Sequence, residues 1–171
     1  RTVLGSLTEV LDYLRIVYAA IGVPHDPVTG ERLTRLSPEE ISTALAGLPE
    51  NTRLTLLAPL SPAFGQNPES DILMLRKLGY LRVRVDGEIR DLDELEAAPP
   101  AAGLVCELVV DRIVLREGVE SRVADSVQAA LRLWPDELRA LVQPRGGEPE
   151  LQCFHTRYRN AETGFTLPEL T

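Results

Sequence analysis

Hydrophobic and polar positions alternate along this chain in blocks of changing period, and the changes mark the elements. From Thr2 to Gly22 apolar side chains at Leu7, Val10, Leu11, Leu14, Val17, Tyr18 and Ile21 recur with the helical period, so they stack into one stripe. Ser6 suits the N-cap of that helix and Gly22 its left-handed C′ position. Val23 to Arg35 has no apolar period and contains Pro24, Pro27 and Gly30, which predicts a turn-rich excursion. Ser37-Pro38-Glu39-Glu40 announces a second helix: Ser37 caps, Pro38 takes the first helical position and Glu40 closes a capping box. Ile41, Ala44, Leu45 and Leu48 are its buried face, and Pro49 stops it.

Arg53 to Ala58 is short and apolar enough for a buried strand, ended by Pro59. Prolines and glycine break every period from Ser61 to Ser70, a predicted loop, and Ile72 to Leu78 predicts a third helix with Gly79 as its C′ residue. Leu81 to Val85 and Glu88 to Leu92 flank Asp86-Gly87, a pair that tolerates the positive φ angles of a type I′ hairpin turn. The turn sets the register: Val85 opposes Glu88, Arg84 opposes Ile89, Val83 opposes Arg90 and Arg82 opposes Asp91. Ala97 to Gly103 is a semi-rigid linker. Leu104 to Leu115 is a strand pair or one bent central strand, rich in β-branched residues and leucine. Val119 to Leu133 predicts a helix ended by Pro135. Leu138 to Val142 and Leu151 to Thr156 predict a strand pair around Gly146-Gly147, with Arg157 to Thr171 mostly irregular. The class is α+β (mixed α/β): a small mixed sheet with packed helices and a protruding β-hairpin.

Composition and charge narrow the function. Of 171 residues 44% are hydrophobic and 26% charged, too apolar for disorder and ordinary for a globular chain. A net charge of −8 repels phosphate backbones and anionic membranes and counts against autonomous DNA binding. No apolar run reaches membrane-spanning length and no signal-peptide core opens the chain, so it is expected to be cytoplasmic. Cys106 and Cys153, far apart in apolar runs, are expected as small buried residues of a reducing compartment. Arg1 in place of Met, and Thr171 directly after Pro-Glu-Leu, suggest an excised fragment.

No phosphate-cradling loop, dinucleotide fingerprint, Cys-x-x-Cys or metal-spaced His pair is present. His25 and Asp26 are neighbours that point apart in an extended loop, His155 is expected as a structural histidine, and Asp111-Arg112 is a charged pair at a bend or the place where a strand leaves the core. Arg82 and Arg84 differ: two arginines on one hairpin face present fork-shaped donors suited to a partner's carboxylates. The bland alternative is a solvated sheet face with Arg82 paired to Asp91. Arg53, Arg76 and Lys77 could join them in one basic patch.

Several motifs, taken in order, resemble the UvrA family, the damage-recognition ATPases of bacterial nucleotide excision repair. The opening pattern T-V-x-x-x-x-T-E-x-x-D-Y-L-R is carried by Thr2, Val3, Thr8, Glu9, Asp12, Tyr13, Leu14 and Arg15. Leu54 to Pro59 (LTLLAP), Gly79 to Asp91 (GYLRVRVDGEIRD), Leu108 to Arg112 (LVVDR), Arg122 to Leu131 (RVADSVQAAL) and Gly164 to Leu170 (GFTLPEL) follow. The resemblance implies that residues 22–98 form a UvrB-binding insertion domain, and that 1–21 and 99–171 belong to the signature region of the ATPase body. It implies docking of a UvrB-like partner through Arg82 and Arg84, with Arg53 a further candidate. The alternatives are a DNA-contacting clamp domain, or a scaffold of a divergent paralogue that no longer binds UvrB. The family's ATP-binding loops lie outside these residues, so no catalytic residue and no ATP hydrolysis are expected here. Nor is zinc: Asp26 to Thr29 and Asn160 to Thr163 stand where the family commonly carries Cys-x-x-Cys knuckles, and neither stretch offers enough thiolate or imidazole ligands. A monomeric fragment is expected, from a homodimeric parent that supplies any DNA contact.

Overall fold

The computed structural model describes residues 35–160, 162–164 and 166. The opening helix, the Val23 to Arg35 excursion up to residue 34 and the His25-Asp26 pair lie outside them.

Among the described residues, four helices and six strands follow in the order α1 (Pro38–Ala46), β1 (Arg53–Pro59), α2 (Pro68–Lys77), β2 (Arg82–Val85), β3 (Glu88–Asp91), α3 (Leu92–Ala97), β4 (Cys106–Val114), α4 (Glu120–Leu133), β5 (Glu137–Gln143) and β6 (Glu150–His155). The strands make one six-stranded sheet in the order β3-β2-β4-β1-β5-β6. Every pairing is antiparallel, so the α+β class stands with an antiparallel rather than a mixed sheet. The hairpin does not protrude: β2 pairs with β4, and β3 forms the sheet's edge. β1, from the 22–98 stretch, lies between β4 and β5, from the 99–171 stretch. The two stretches therefore share one sheet and one core.

Local chemistry explains the punctuation. At α1 the Ser37 hydroxyl accepts from the Glu40 N–H while the Glu40 carboxylate accepts from the Ser37 N–H, so both ends of the capping box are satisfied. α2 starts at Pro68, four residues before the expected helix, because proline's fixed φ suits the first turn. The hairpin has the expected register in all four pairs, with Asp86 at φ 48° and Gly87 at φ 90°. The short helix α3 directly after it was not anticipated from sequence; Leu92 and Leu95, three apart, are its buried contacts.

Leu104 to Leu115 resolves into one bent strand, β4. Leu57 pairs with Val109 but Leu56 with Asp111, so Val110 is an extra residue, a β-bulge against β1. The bulge shifts the alternation by one. Leu108 and Ile113, five apart, both reach the core, which an unbroken period of two forbids.

Alternation otherwise gives the sheet two unlike faces. One carries Leu54, Leu56, Ala58, Val83, Val85, Leu108, Ile113, Leu138, Ala140 and Val142, which form a single core with Ile41 and Leu45 of α1, Ile72 and Leu75 of α2, and Val123 and Val127 of α4. On the opposite face, cross-strand partners align Arg53 with Val114, Thr55 with Arg112, Leu57 with Val109 and Arg139, and Arg84 with Glu107. Among the described residues no helix contributes to the core from that side; Leu57 and Val109 in the middle of this face are nevertheless buried, at 0% and 7%, while Arg53, Arg112, Val114, Leu151 and Cys153 on it are exposed. Cys153, expected to be buried, faces out because it opposes Arg139 on the edge strand β6.

Candidate functional site

The candidate contact residues all lie on this second face. Arg82 and Arg84 are two apart on β2 and share it, as the hairpin register requires. Arg82 is exposed, and its Nε sits 3.1 Å from Asp91 Oδ1 across the hairpin. Arg84 is half-buried and turned into the sheet: its NH1 donates to Glu107 Oε1 at 2.5 Å. Arg139 NH1 donates to the other oxygen of the same carboxylate at 2.9 Å, and its Nε meets Glu137 Oε1 at 3.1 Å. Glu107 is 1% exposed, so one buried carboxylate holds two arginines from the strands on either side of the β4–β1 pair. Burial alone would lower the Arg139 pKa; its hydrogen bonds to Glu137 and Glu107 outweigh that and raise it.

Such a triad is rigid, and it is weak evidence of net stabilisation because desolvation offsets much of the attraction. Arg84 Nε is buried without a hydrogen-bond partner, which costs about 1–3 kcal/mol. Sequence reasoning missed Glu107 and Arg139. The available signal was Glu107 itself, a carboxylate in the middle of an apolar run that must find cations if it is to be buried.

Arg53 opens β1 and is exposed on the same face. It is not adjacent to the pair. Extending the β2–β4 register one step puts Arg82 level with Val109 and so with Leu57. Arg53 therefore lies four residues away along the sheet and two strands across, roughly 16 Å at standard spacings. Arg76 and Lys77 do not join them. Both sit on α2 in the helical layer, where Arg76 is held by Asp93 and Glu96 of α3.

Behind the sheet, Asp111 is the counterpart of the arginines on the second face. The bulge turns its carboxylate toward α4, where Arg122 Nε and NH2 reach it at 3.1 and 2.8 Å, Ser126 Oγ donates at 2.7 Å, and the Arg112 N–H donates at 2.8 Å. Burial pushes this carboxyl up; Arg122, Ser126 and the Arg112 amide outweigh it and hold it below the usual range. At the far edge His155 contacts Arg159 at 2.8 Å. Burial first, and then the cations Arg159 and Arg139, lower its pKa against the opposing pull of Glu137.

Among the described residues no group of three or more His, Cys, Asp or Glu is placed to hold a metal ion, and no described helix is long and apolar enough to cross a membrane. The constellation places arginines and apolar side chains together on one sheet face.

Comparison with known proteins agrees with the motifs. A model of the UvrA interaction domain matches residues 37–143, a range that takes in β1 to β5 and crosses the 98/99 division. UvrABC system protein A of Clostridium perfringens is 36% identical over 99% of this chain, that of Bacillus subtilis 37% over 99%, and that of Lactococcus lactis 38% over 99%. The chain spans only 18%, 17% and 18% of those proteins respectively. With the family match covering the whole sheet except its last strand, the chain belongs to the UvrA interaction domain family.

Proposed function

We propose that this chain is the partner-docking module of a UvrA-type nucleotide excision repair protein, and that it engages a UvrB-like protein through the exposed arginines on the second face of its sheet. The observation that carries this is the pair of exposed arginines, Arg82 and Arg53, on one face of a chain whose net charge is −8. Cations standing out from an acidic background favour a carboxylate-bearing protein surface over a phosphate backbone, which the net field repels. Arg84, bound to Glu107, serves as a positioning residue that fixes β2 and with it Arg82.

ATP hydrolysis belongs, on this view, to parts of the parent outside the chain. We also read the 160–163 stretch as metal-independent. Asn160 is buried and its Oδ1 accepts from the backbone N–H groups of Glu162 and Thr163 at 2.9 and 3.2 Å. A side-chain amide already spent on its own turn is a poor zinc ligand, and no thiolate stands beside it.

The test is affinity of the 171-residue chain for UvrB from the same source, measured by calorimetry with Arg82→Ala, Arg53→Ala and Arg84→Ala. Docking predicts weaker binding for the first two, and for Arg84→Ala a loss that accompanies a lower melting temperature. Wild-type affinity in all three would overturn the assignment.

A further inference from the structure

We propose that Arg112 is a third contact of the docking face, and that the bulge at Val110 is what puts it there. The proposal rests on the docking function above. Without the bulge, strict alternation from Val109 would send Asp111 to the second face and Arg112 into the helical layer. With it, Asp111 turns to Arg122 and Ser126, and Arg112 emerges exposed opposite Thr55 of β1.

Three features mark Arg112 as a contact rather than a structural residue. Its side chain has no ion-pair partner among the described residues, which is also true of Arg53, Arg116, Arg132 and Arg145, but of these five only Arg53 and Arg112 stand on strands of the sheet, whereas its other strand arginines Arg82, Arg84, Arg90 and Arg139 are paired. What holds it in place is backbone: its N–H donates to Asp111 and its carbonyl accepts from Arg122 NH2, bonds that any side chain at this position keeps. Its place is the third. Arg53 opposes Val114 and Arg112 opposes Thr55, so the two arginines are diagonal neighbours, about 7–8 Å apart at the Cα. Arg82 lies one strand further on the other side.

Arg82, Arg112 and Arg53 thus run as a diagonal across β2, β4 and β1, with Val114, 50% exposed, beside Arg53 and Arg112. Exposed cations around apolar ground fit a protein partner presenting carboxylates around a small apolar contact. Nucleic acid fits less well, since Asp91 flanks Arg82 and the chain is acidic overall.

The experiment measures affinity of the 171-residue chain for UvrB, and separately for duplex DNA, in low and moderate salt. The variants are Arg112→Ala, Arg112→Glu, Arg53→Ala, Arg82→Ala and Lys77→Ala, the last a solvent-exposed lysine of α2 that lies off the proposed face. Arg112→Ala is expected to weaken UvrB binding about 2- to 5-fold and Arg112→Glu about 10-fold or more, with the difference shrinking in salt and the melting temperature unchanged. Lys77→Ala should bind as wild type. Unchanged affinity for both Arg112 variants, while Arg53→Ala or Arg82→Ala weakens binding, overturns the role of Arg112 and leaves the docking function standing. Loss in none of the four arginine variants overturns both. Duplex DNA binding that depends on Arg112 overturns the choice of a protein partner.

Discussion

Glu107→Gln removes the single negative charge that two arginines share, and it should be among the most damaging conservative changes in the sheet. Glu107 is 1% exposed, while the side chains of Arg84 and Arg139 are 16% and 21% exposed. Breaking a fully buried ion pair from one side costs about 3–5 kcal/mol, because the remaining charge is left uncompensated. Here the guanidinium groups keep some water and Arg139 keeps Glu137, so the low end applies, about 3 kcal/mol. At roughly 2–4 °C per kcal/mol for a chain of this size, the melting temperature should fall by about 6–12 °C. Circular dichroism melts of wild type and Glu107→Gln measure it directly. A fourfold change, Glu107→Leu with Arg84→Met, Arg139→Leu and Glu137→Gln, should recover most of the loss, since replacing the whole set, Glu137 included because it pairs with Arg139, leaves no orphan charge. A Glu107→Gln melting temperature within about 2 °C of wild type would mean instead that water reaches the arginines freely and that the pair is not a buried one.

Three further outcomes follow from groups behind or beside the site. Asp111 has a lowered pKa in the fold, so its stabilisation is present above its unfolded value near 3.9 and is lost as pH falls through the folded value. Urea denaturation of Asp111→Asn should show a deficit of about 1–2 kcal/mol at pH 7 that closes toward pH 3. His155, whose pKa is lowered by burial and nearby cations, is neutral in the fold. Protonation below about pH 6.5 therefore favours unfolding, and wild type should lose more stability than His155→Gln between pH 7.5 and 5.5 in the same assay. Ser37→Ala removes the hydroxyl that accepts from the Glu40 N–H and should cost about 1 kcal/mol, read as a fall in melting temperature of about 2–4 °C.

What could be read from sequence was what neighbouring residues decide. The Asp86-Gly87 turn admits one hairpin geometry, and the register follows from it without knowledge of the rest of the fold. Ser37 to Glu40 carries its partners within four residues. Arg82 facing Asp91 needs only that hairpin. The illegible parts depend on residues far apart in the chain. Nothing near Arg84 announces that Glu107 will neutralise it, because the contact exists only once β2 and β4 pair. The Val110 bulge is invisible to a count of alternation within LVCELVVDRIVL. It becomes necessary when Leu108 and Ile113 must both meet the helices and Asp111 must meet Arg122. Helix α3 escaped for a different reason: six residues carry less than two turns of periodicity, and its stability comes from Leu92 and Leu95 packing into a core assembled elsewhere.

Docking through the arginine-bearing sheet face is tested most directly by photocrosslinking. A benzophenone side chain placed at Val114 stands on that face beside Arg53 and Arg112, and one placed at Leu73 stands on α2 in the helical layer. The two positions are almost equally exposed, 50% and 52%, so accessibility does not bias the comparison. In the presence of UvrB, a crosslinked complex is expected from position 114 and little from position 73. Efficient crosslinking from 73 with none from 114 would move the docking surface to the helices.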